Sequence, residues 1–167
     1  LKKFKKTLFD LHDPYRFLSV GRFHWVKGYH YCLSALKALK EDGKRVQYLI
    51  ISKNNISEEL LFNISDMALE KEVKIISPNT QNDVYRNMRN SDCLILPSVE
   101  EGISNVVLEA MAIGLPVISS NCGGMNEVIN NEINSFTFEN RDSKSMKNAI
   151  LKVISLSIND RKNISLL

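Results

Sequence analysis

No apolar run in this 167-residue chain approaches the roughly 18–20 residues that cross a bilayer, which excludes a membrane-spanning helix. The N-terminal residues do not have the layout of a signal peptide. Cysteine is scarce. Cys32, Cys93 and Cys122 are odd in number, scattered, and without metal-type spacing. They are expected to be free thiols, and a reducing, cytoplasmic setting is the expected location. There is no G-x-G-x-x-G fingerprint and no Walker loop, which argues against a nicotinamide dehydrogenase or an NTPase. Repeats and low-complexity stretches are missing as well. Charge is nearly balanced, with 22 Lys and Arg against 19 Asp and Glu. A net charge of +3 is mild and does not by itself imply nucleic acid, and no nucleic-acid partner is expected. What remains is the composition of one ordinary globular domain, 44% apolar and 25% charged.

Short apolar runs alternate with helical patterns. Phe17–Val20, Val46–Ile51, Val73–Ile76, Cys93–Leu96, Pro116–Ser119 and Phe136–Phe138 are predicted strands. Between them, Tyr29–Leu39 carries Cys32, Leu33, Ala35, Leu36 and Leu39 at helical spacing, with Gly43 as a stop. Ser57 is placed to cap a helix with Leu60, Leu61, Ile64 and Leu69 on one side. Thr80-Gln81-Asn82-Asp83 has the form of a capping box. Ser104–Ile113 is a helix stopped by Gly114, Glu127–Asn131 a short helix, and Asp142 caps a final long helix. Strands of this length alternating with helices predict an α/β fold: a Rossmann-like, doubly wound parallel sheet with helices on both faces. The domain is expected over residues 15–167, after a basic segment over 1–14. In that segment Lys2, Lys3, Lys5 and Lys6 alternate with Leu1, Phe4, Leu8 and Phe9. Two readings stay open there: a solvated linker, or a basic amphipathic element resting peripherally on anionic lipid.

Three clusters could carry chemistry. Gly21-Arg22-Phe23-His24-Trp25-Val26-Lys27-Gly28 follows the first strand, where an open parallel sheet binds its ligands. Arg22 offers a planar fork and Lys27 a mobile point charge, both suited to phosphate oxygens. Each cation about 4 Å from a phosphate charge is worth about 4 kcal/mol before desolvation, at an effective dielectric of about 20. Two surface charges flanking a turn is the plain alternative. The second cluster runs from Glu101 to Glu109. Gly102 permits close backbone approach to a ligand. The amides near Ser104 and Asn105 open a helix and attract an anion. Glu109, in the second turn, can accept two hydrogen bonds from a vicinal diol such as ribose, or can be a solvated helix residue. Glu101 can accept from a sugar hydroxyl or balance charge near a leaving group. The third cluster is Asn121-Cys122-Gly123-Gly124-Met125-Asn126-Glu127, whose double glycine allows close approach and whose Glu127 suits the start of its helix.

These motifs, in this order, resemble the C-terminal half of the GT-B glycosyltransferases, in the large family 4 of retaining enzymes. The resemblance covers about Phe17 to Phe138. It rests on Val20-Gly21-Arg22 with Lys27-Gly28, and on Leu96-Pro97-Ser98 running into Glu101-Gly102. Glu101 and Glu109 follow with seven residues between them. Ala110-Met111-Ala112, Gly114-Leu115-Pro116-Val117-Ile118, and Gly123-Gly124 with Glu127 complete it.

The resemblance implies a donor-binding half that transfers sugar from a nucleotide-diphosphate sugar to a glycan or lipid-linked acceptor. UDP-sugar is the first expectation and GDP-mannose the second. Polysaccharide or lipopolysaccharide assembly is the expected setting. Arg22 and Lys27 would grip the diphosphate, Glu109 the ribose, and Glu101 would face the transferred sugar. Gly21, Gly102, Ile103, Ser104 and Asn105 would line the phosphate and sugar, and backbone around Ile76 and Ser77 the base. No cofactor and no metal are expected, and the chain has no D-x-D motif. Cations and a helix terminus would neutralise the leaving diphosphate. Retention would follow from front-face attack, with the departing phosphate taking the acceptor proton and no side chain serving as a certain nucleophile.

The sequence departs from the family pattern in four places: Ser52-Lys53-Asn54-Asn55 replaces a glycine-rich loop, Ser77 a glycine, Ser104 the second glycine of E-G-x-G, and Asn134-Ser135 an N-G pair. The acceptor-binding N-terminal half of such enzymes is not in this chain, so it is expected to transfer nothing alone. A non-catalytic nucleotide- or partner-binding module of the same fold is the alternative from another class. A different nucleotide-sugar enzyme, an epimerase or phosphorylase, is the third; the pyridoxal-phosphate lysine context of a phosphorylase is not identifiable.

Overall fold

The computed structural model describes residues 3, 10–130 and 135–166. The remainder of the basic N-terminal pattern, Asn131 and Asn134 lie outside the described residues. Six parallel strands form one sheet: β1 (Tyr15–Val20), β2 (Val46–Ile51), β3 (Val73–Ile76), β4 (Cys93–Leu96), β5 (Val117–Ser120) and β6 (Phe136–Phe138). Their order is β3-β2-β1-β4-β5-β6. The chain therefore winds outward twice from β1, and the reversal of direction falls between β1 and β4. A crevice opens there at the carboxyl ends of the two strands. The doubly wound α/β fold expected from the alternating pattern is present.

The helices are α1 (Tyr29–Glu41), α2 (Glu58–Asp66), α3 (Gln81–Arg89), α4 (Asn105–Ile113), α5 (Ser143–Ser155) and α6 (Ile158–Leu166). Strands buried on both faces need two cores, and both exist. On one face α1, α2 and α5 bury Leu33, Leu36, Leu60 and Ile150 against Phe17, Tyr48 and Ile95. On the other, α3 and α4 bury Val84, Met88, Val107 and Ala110 against Leu18, Leu94 and Val117. Truncating one of these large aliphatics to alanine costs about 2–5 kcal/mol.

Local chemistry sets the helix ends. The Thr80 hydroxyl accepts from the Asp83 amide at 3.3 Å while the Asp83 carboxylate accepts from the Thr80 amide at 2.9 Å, completing the expected capping box. The Asp142 carboxylate accepts from the Lys144 and Ser145 amides at 2.8 and 2.9 Å. Gly114 ends α4 in the left-handed region at φ 84°.

Four expectations are corrected. Leu61 is 48% exposed rather than facing the core with Leu60 and Ile64, because the inner stripe of α2 is only those two residues wide. The fifth strand is Val117–Ser120, one residue later than expected at each end. The short helix expected from Glu127 is a 3-10 turn over Gly123–Glu127, so Glu127 ends it instead of opening it. Asp142 caps the expected helix, α5, but that helix is not the final one, since α6 follows it.

Candidate active site

The crevice between β1 and β4 is walled by backbone. After β1 the chain makes a 3-10 turn over Trp25–Lys27 and enters α1 through Gly28, whose φ is 62°. A Cβ on Gly28 would run into the Pro97 carbonyl just after β4. The Val99 amide donates to the Val26 carbonyl at 2.7 Å. The two loops are thus locked together by main chain, and no side chain larger than hydrogen fits at Gly28.

Lys27 and Glu101 meet across that lock. Lys27 Nζ lies 2.5 Å from Glu101 Oε2, with the two side chains 20% and 21% exposed. Ser98 donates its hydroxyl to the same carboxylate oxygen at 3.1 Å. The Lys27 stem packs beside Gly21, where an added Cβ would come within 3.2 Å of the Tyr29 hydroxyl and 3.4 Å of Lys27 Cε. Tyr29 in turn donates to the Gly21 carbonyl at 3.0 Å. Burial pushes the Tyr29 phenol well above its ordinary pKa, so it stays a donor at any physiological pH. Arg22 projects into solvent and makes no hydrogen bond or ion pair among the described residues.

The Glu101 loop is fixed from behind as well. The Gly124 amide donates to the Glu101 carbonyl at 3.2 Å. Gly123 sits at φ 52°, and a Cβ there would collide with that same carbonyl. The double glycine therefore does permit a close approach, but to the Glu101 backbone. Asn140, just beyond β6, donates its side-chain amide to the Val99 carbonyl at 2.6 Å. Cys122 is buried beside this loop. Its thiol pKa is raised, chiefly by burial, with the Glu101 charge adding to the rise.

The second acid is held differently. Glu109 is half-buried on α4 and accepts from the Tyr85 hydroxyl at 3.2 Å and the Gln81 side-chain amide at 3.1 Å. Both donors sit on α3, which packs beside α4. The start of α4 is only partly open: Ser104 is its N-cap, and the Ser104 amide faces Met125 Sδ at 3.5 Å. Ile103 and Asn105 are exposed there. Gly102 is also exposed, has no left-handed φ, and a Cβ on it would meet nothing within 4 Å. Ile76 and Ser77 lie at the carboxyl end of β3, two strands from the crevice.

All of the residues singled out from the sequence therefore lie on the carboxyl edge of one sheet or in the loops and helix that rise from it. The ion pair joins the first and second clusters, and the third supports it. Ser98, Asn140, Tyr85 and Gln81 were not anticipated. Tyr85, Gln81 and Asn140 act on residues 24, 28 and 41 positions away, which no local pattern marks, whereas Ser98 lies only three residues before Glu101 and the spacing alone could have suggested it. Among the described residues, no three His, Cys, Asp or Glu side chains converge as a metal site would require.

A doubly wound sheet with two cations and two acids in the loops and helix around its crossover crevice has the layout in which open α/β domains bind ligands. The family of group 1 glycosyl transferases matches residues 2–165 of the chain. The chain belongs to that family. It is 33% identical over 159 residues to the amylovoran biosynthesis glycosyltransferase AmsK of Erwinia amylovora, covering 91% of this chain and 39% of that protein. It is 32% identical over 144 residues to the UDP-Gal:alpha-D-GlcNAc-diphosphoundecaprenol alpha-1,3-galactosyltransferase of Escherichia coli, covering 84% and 37%. Its fold matches the C-terminal domain of the group 1 family protein LpcC of Francisella tularensis with a TM-score of 0.78 at 22% identity, over 90% of this chain and 80% of that one. The chain thus spans about two fifths of the length of these curated relatives and corresponds in fold to a GT-B C-terminal domain. Among the described residues no helix is long and apolar enough to cross a membrane.

Proposed function

We propose that this chain binds the donor of a retaining glycosyltransferase, a UDP-sugar first and GDP-mannose second, and presents it to a glycan or lipid-linked acceptor held by the rest of the enzyme. The observation that carries the reading is the Lys27–Glu101 pair at the crevice between β1 and β4, with Arg22, unpartnered among the described residues, on the same loop as Lys27. Two cations on one loop suit a diphosphate. Arg22 is free to fork onto phosphate oxygens. Lys27 is held in place by Glu101 and adds charge near the bond that breaks. Together with the partly open start of α4 they stabilise the charge that develops on the leaving diphosphate, the part a metal plays elsewhere. Glu109 takes the ribose diol. Its carboxylate has room for further donors while Tyr85 and Gln81 fix its orientation. Glu101 accepts from a hydroxyl of the transferred sugar. The E. coli relative named for UDP-galactose and a lipid diphosphate acceptor supports UDP as the nucleotide and a lipid-linked acceptor.

Calorimetric titration with UDP, GDP, ADP and their sugar conjugates tests this. UDP and UDP-sugar are expected to bind, and Arg22→Ala and Glu109→Ala are each expected to weaken binding at least tenfold. Unchanged affinity in both variants sinks the site. Absence of any nucleotide binding favours a non-catalytic module of the same fold. The 167-residue chain alone is expected to transfer no sugar, because a cleft closed by two domains cannot form from one; detectable transfer refutes that.

A further inference from the structure

A second depression opens at the same carboxyl edge of the sheet, on the α1 and α2 side. Phe23, Trp25, Tyr29 and His30 line one part of it, and Ser57, Glu59 and Asn63 of the α2 start line the other. Its volume is about 200 Å³. That is smaller than the roughly 300–1,000 Å³ that enclose a drug-sized ligand, and is the scale of a single ring.

Three features make this more than a surface dent. Trp25 is 64% exposed, although it sits on a turn that is internally fixed. The Lys27 amide donates to the His24 carbonyl at 2.8 Å, the Gly28 amide to the Trp25 carbonyl at 3.0 Å, and His24 Nδ1 accepts from the Val26 amide at 3.4 Å. An indole carried on a fixed turn and left in water is an available stacking face. The opposite wall carries hydrogen-bonding groups: the Glu59 carboxylate, whose charge acts on His30 across the depression, and the Asn63 side-chain amide have no hydrogen bond or ion pair among the described residues. Finally, the depression is built on the same loop as the crevice. Trp25 and Lys27 belong to one turn, and Tyr29 lines the depression while donating to the Gly21 carbonyl.

An aromatic face opposite a carboxylate and an amide suits one class of ligand. A pyranose ring offers an apolar C–H face to the indole, and its equatorial hydroxyls can donate to the carboxylate and exchange hydrogen bonds with the amide. A membrane surface would need cations here, and the α2 start offers Glu58 and Glu59 instead. We propose that this depression is a saccharide subsite in which Trp25 stacks on an outlying sugar ring of an acceptor glycan that the rest of the enzyme holds, while Glu59 and Asn63 take the hydroxyls of that ring. Its place in the reaction rests on the donor reading above; its chemistry does not.

Trp25 is the only tryptophan in the chain, so its fluorescence reports on this site directly. The chain is titrated with methyl galactoside, methyl glucoside and triacetylchitotriose, and separately with UDP and with anionic phosphatidylglycerol vesicles. At least one saccharide is expected to shift the emission with a Kd on the order of millimolar. Followed by NMR, that affinity is expected to fall at least tenfold in Trp25→Ala and about threefold or more in Glu59→Gln, with UDP affinity unchanged in both. Retained UDP binding shows that the variants are folded. No response to any of the three saccharides, or equal saccharide affinity in Trp25→Ala, overturns the subsite. A response to vesicles alone overturns it in favour of a membrane contact. Saccharide binding without UDP binding upholds the subsite and sinks the donor reading instead.

Discussion

Glu101 and Glu109 are eight positions apart in sequence and are held by different kinds of structure. Glu101 lies in a loop whose backbone is gripped from β1, β5 and β6, through Val26, Gly124 and Asn140. Its carboxylate then meets Lys27 and Ser98. Glu109 rides on a regular helix and is oriented only by the side chains of Tyr85 and Gln81. One acid is placed by the fold itself, and the other is placed by the helix and merely steadied by its neighbours. Damage to the backbone grip on the first should therefore appear as lost stability, and damage to the side chains that steady the second as lost affinity.

The largest effect should come from Gly123→Ala. The new Cβ meets the Glu101 carbonyl at a left-handed φ, combining a conformational cost of about 1–2 kcal/mol with an overpacking cost of about 1–3 kcal/mol. Urea unfolding should show a loss of about 2–5 kcal/mol, and a loss below about 0.5 kcal/mol would mean that the loop is not gripped as described. Next, Lys27→Met should weaken UDP binding about tenfold or more. Glu101→Gln should leave UDP binding intact or tighter, because it frees the lysine for phosphate, while erasing preference for UDP-sugar over UDP. Equal behaviour of the two variants in calorimetry would break the assignment of separate roles. Tyr85→Phe should be smaller, about three- to tenfold weaker UDP binding at unchanged melting temperature. The loss should vanish with 2′,3′-dideoxy-UDP, and a loss that persists would show that Tyr85 does not act through the ribose contact. Gly102→Ala sharpens the contrast from the other side. Its Cβ enters open space, so stability should change by less than about 0.5 kcal/mol while donor affinity falls.

The smallest effect concerns the helix that carries Tyr85 and Gln81. Hydrogen bonds from Thr80, the largest cause, hold the Asp83 carboxyl below its usual range. A group with a depressed native pKa stabilises above its unfolded pKa, about 4, and that support is lost as pH falls through the native value. Thr80→Ala should therefore reduce stability above about pH 4 and matter less in stronger acid, which thermal melts across pH can check. An equal reduction at every pH would rule out the Asp83 linkage.

Much of the fold was legible because it rests on short-range signals. The strands β2, β3, β4 and β6 read directly from short, mostly apolar stretches, and Thr80 and Asp83 announced α3. The failures have local causes. Leu61 repeats the helical period yet falls outside a stripe two residues wide. The turn at Gly123 begins earlier than Glu127 suggests because the glycines are needed against Glu101. The helix α6 has polar residues all round, although Ser157 and Asp160 cap each other reciprocally at 3.3 and 3.1 Å, a signal present in the sequence. At the site, strand ends located Arg22, Lys27 and Glu101, while the helical period located Glu109. The pairing of Lys27 with Glu101 spans 74 residues and depends on which strands are neighbours. Strand order is not written in any local pattern, so neither that pairing nor the reach of Asn140 to Val99 could be read beforehand.

The bonds that tie Val26, Val99, Glu101, Gly124 and Asn140 also limit how this domain can be remodelled. Segments following four different strands share one rim, so a loop grafted alone from a relative would arrive without the partners that shape it. Exchange of donor preference between family members should travel as a set of four segments, with single-loop chimeras losing the rim before they gain a new sugar.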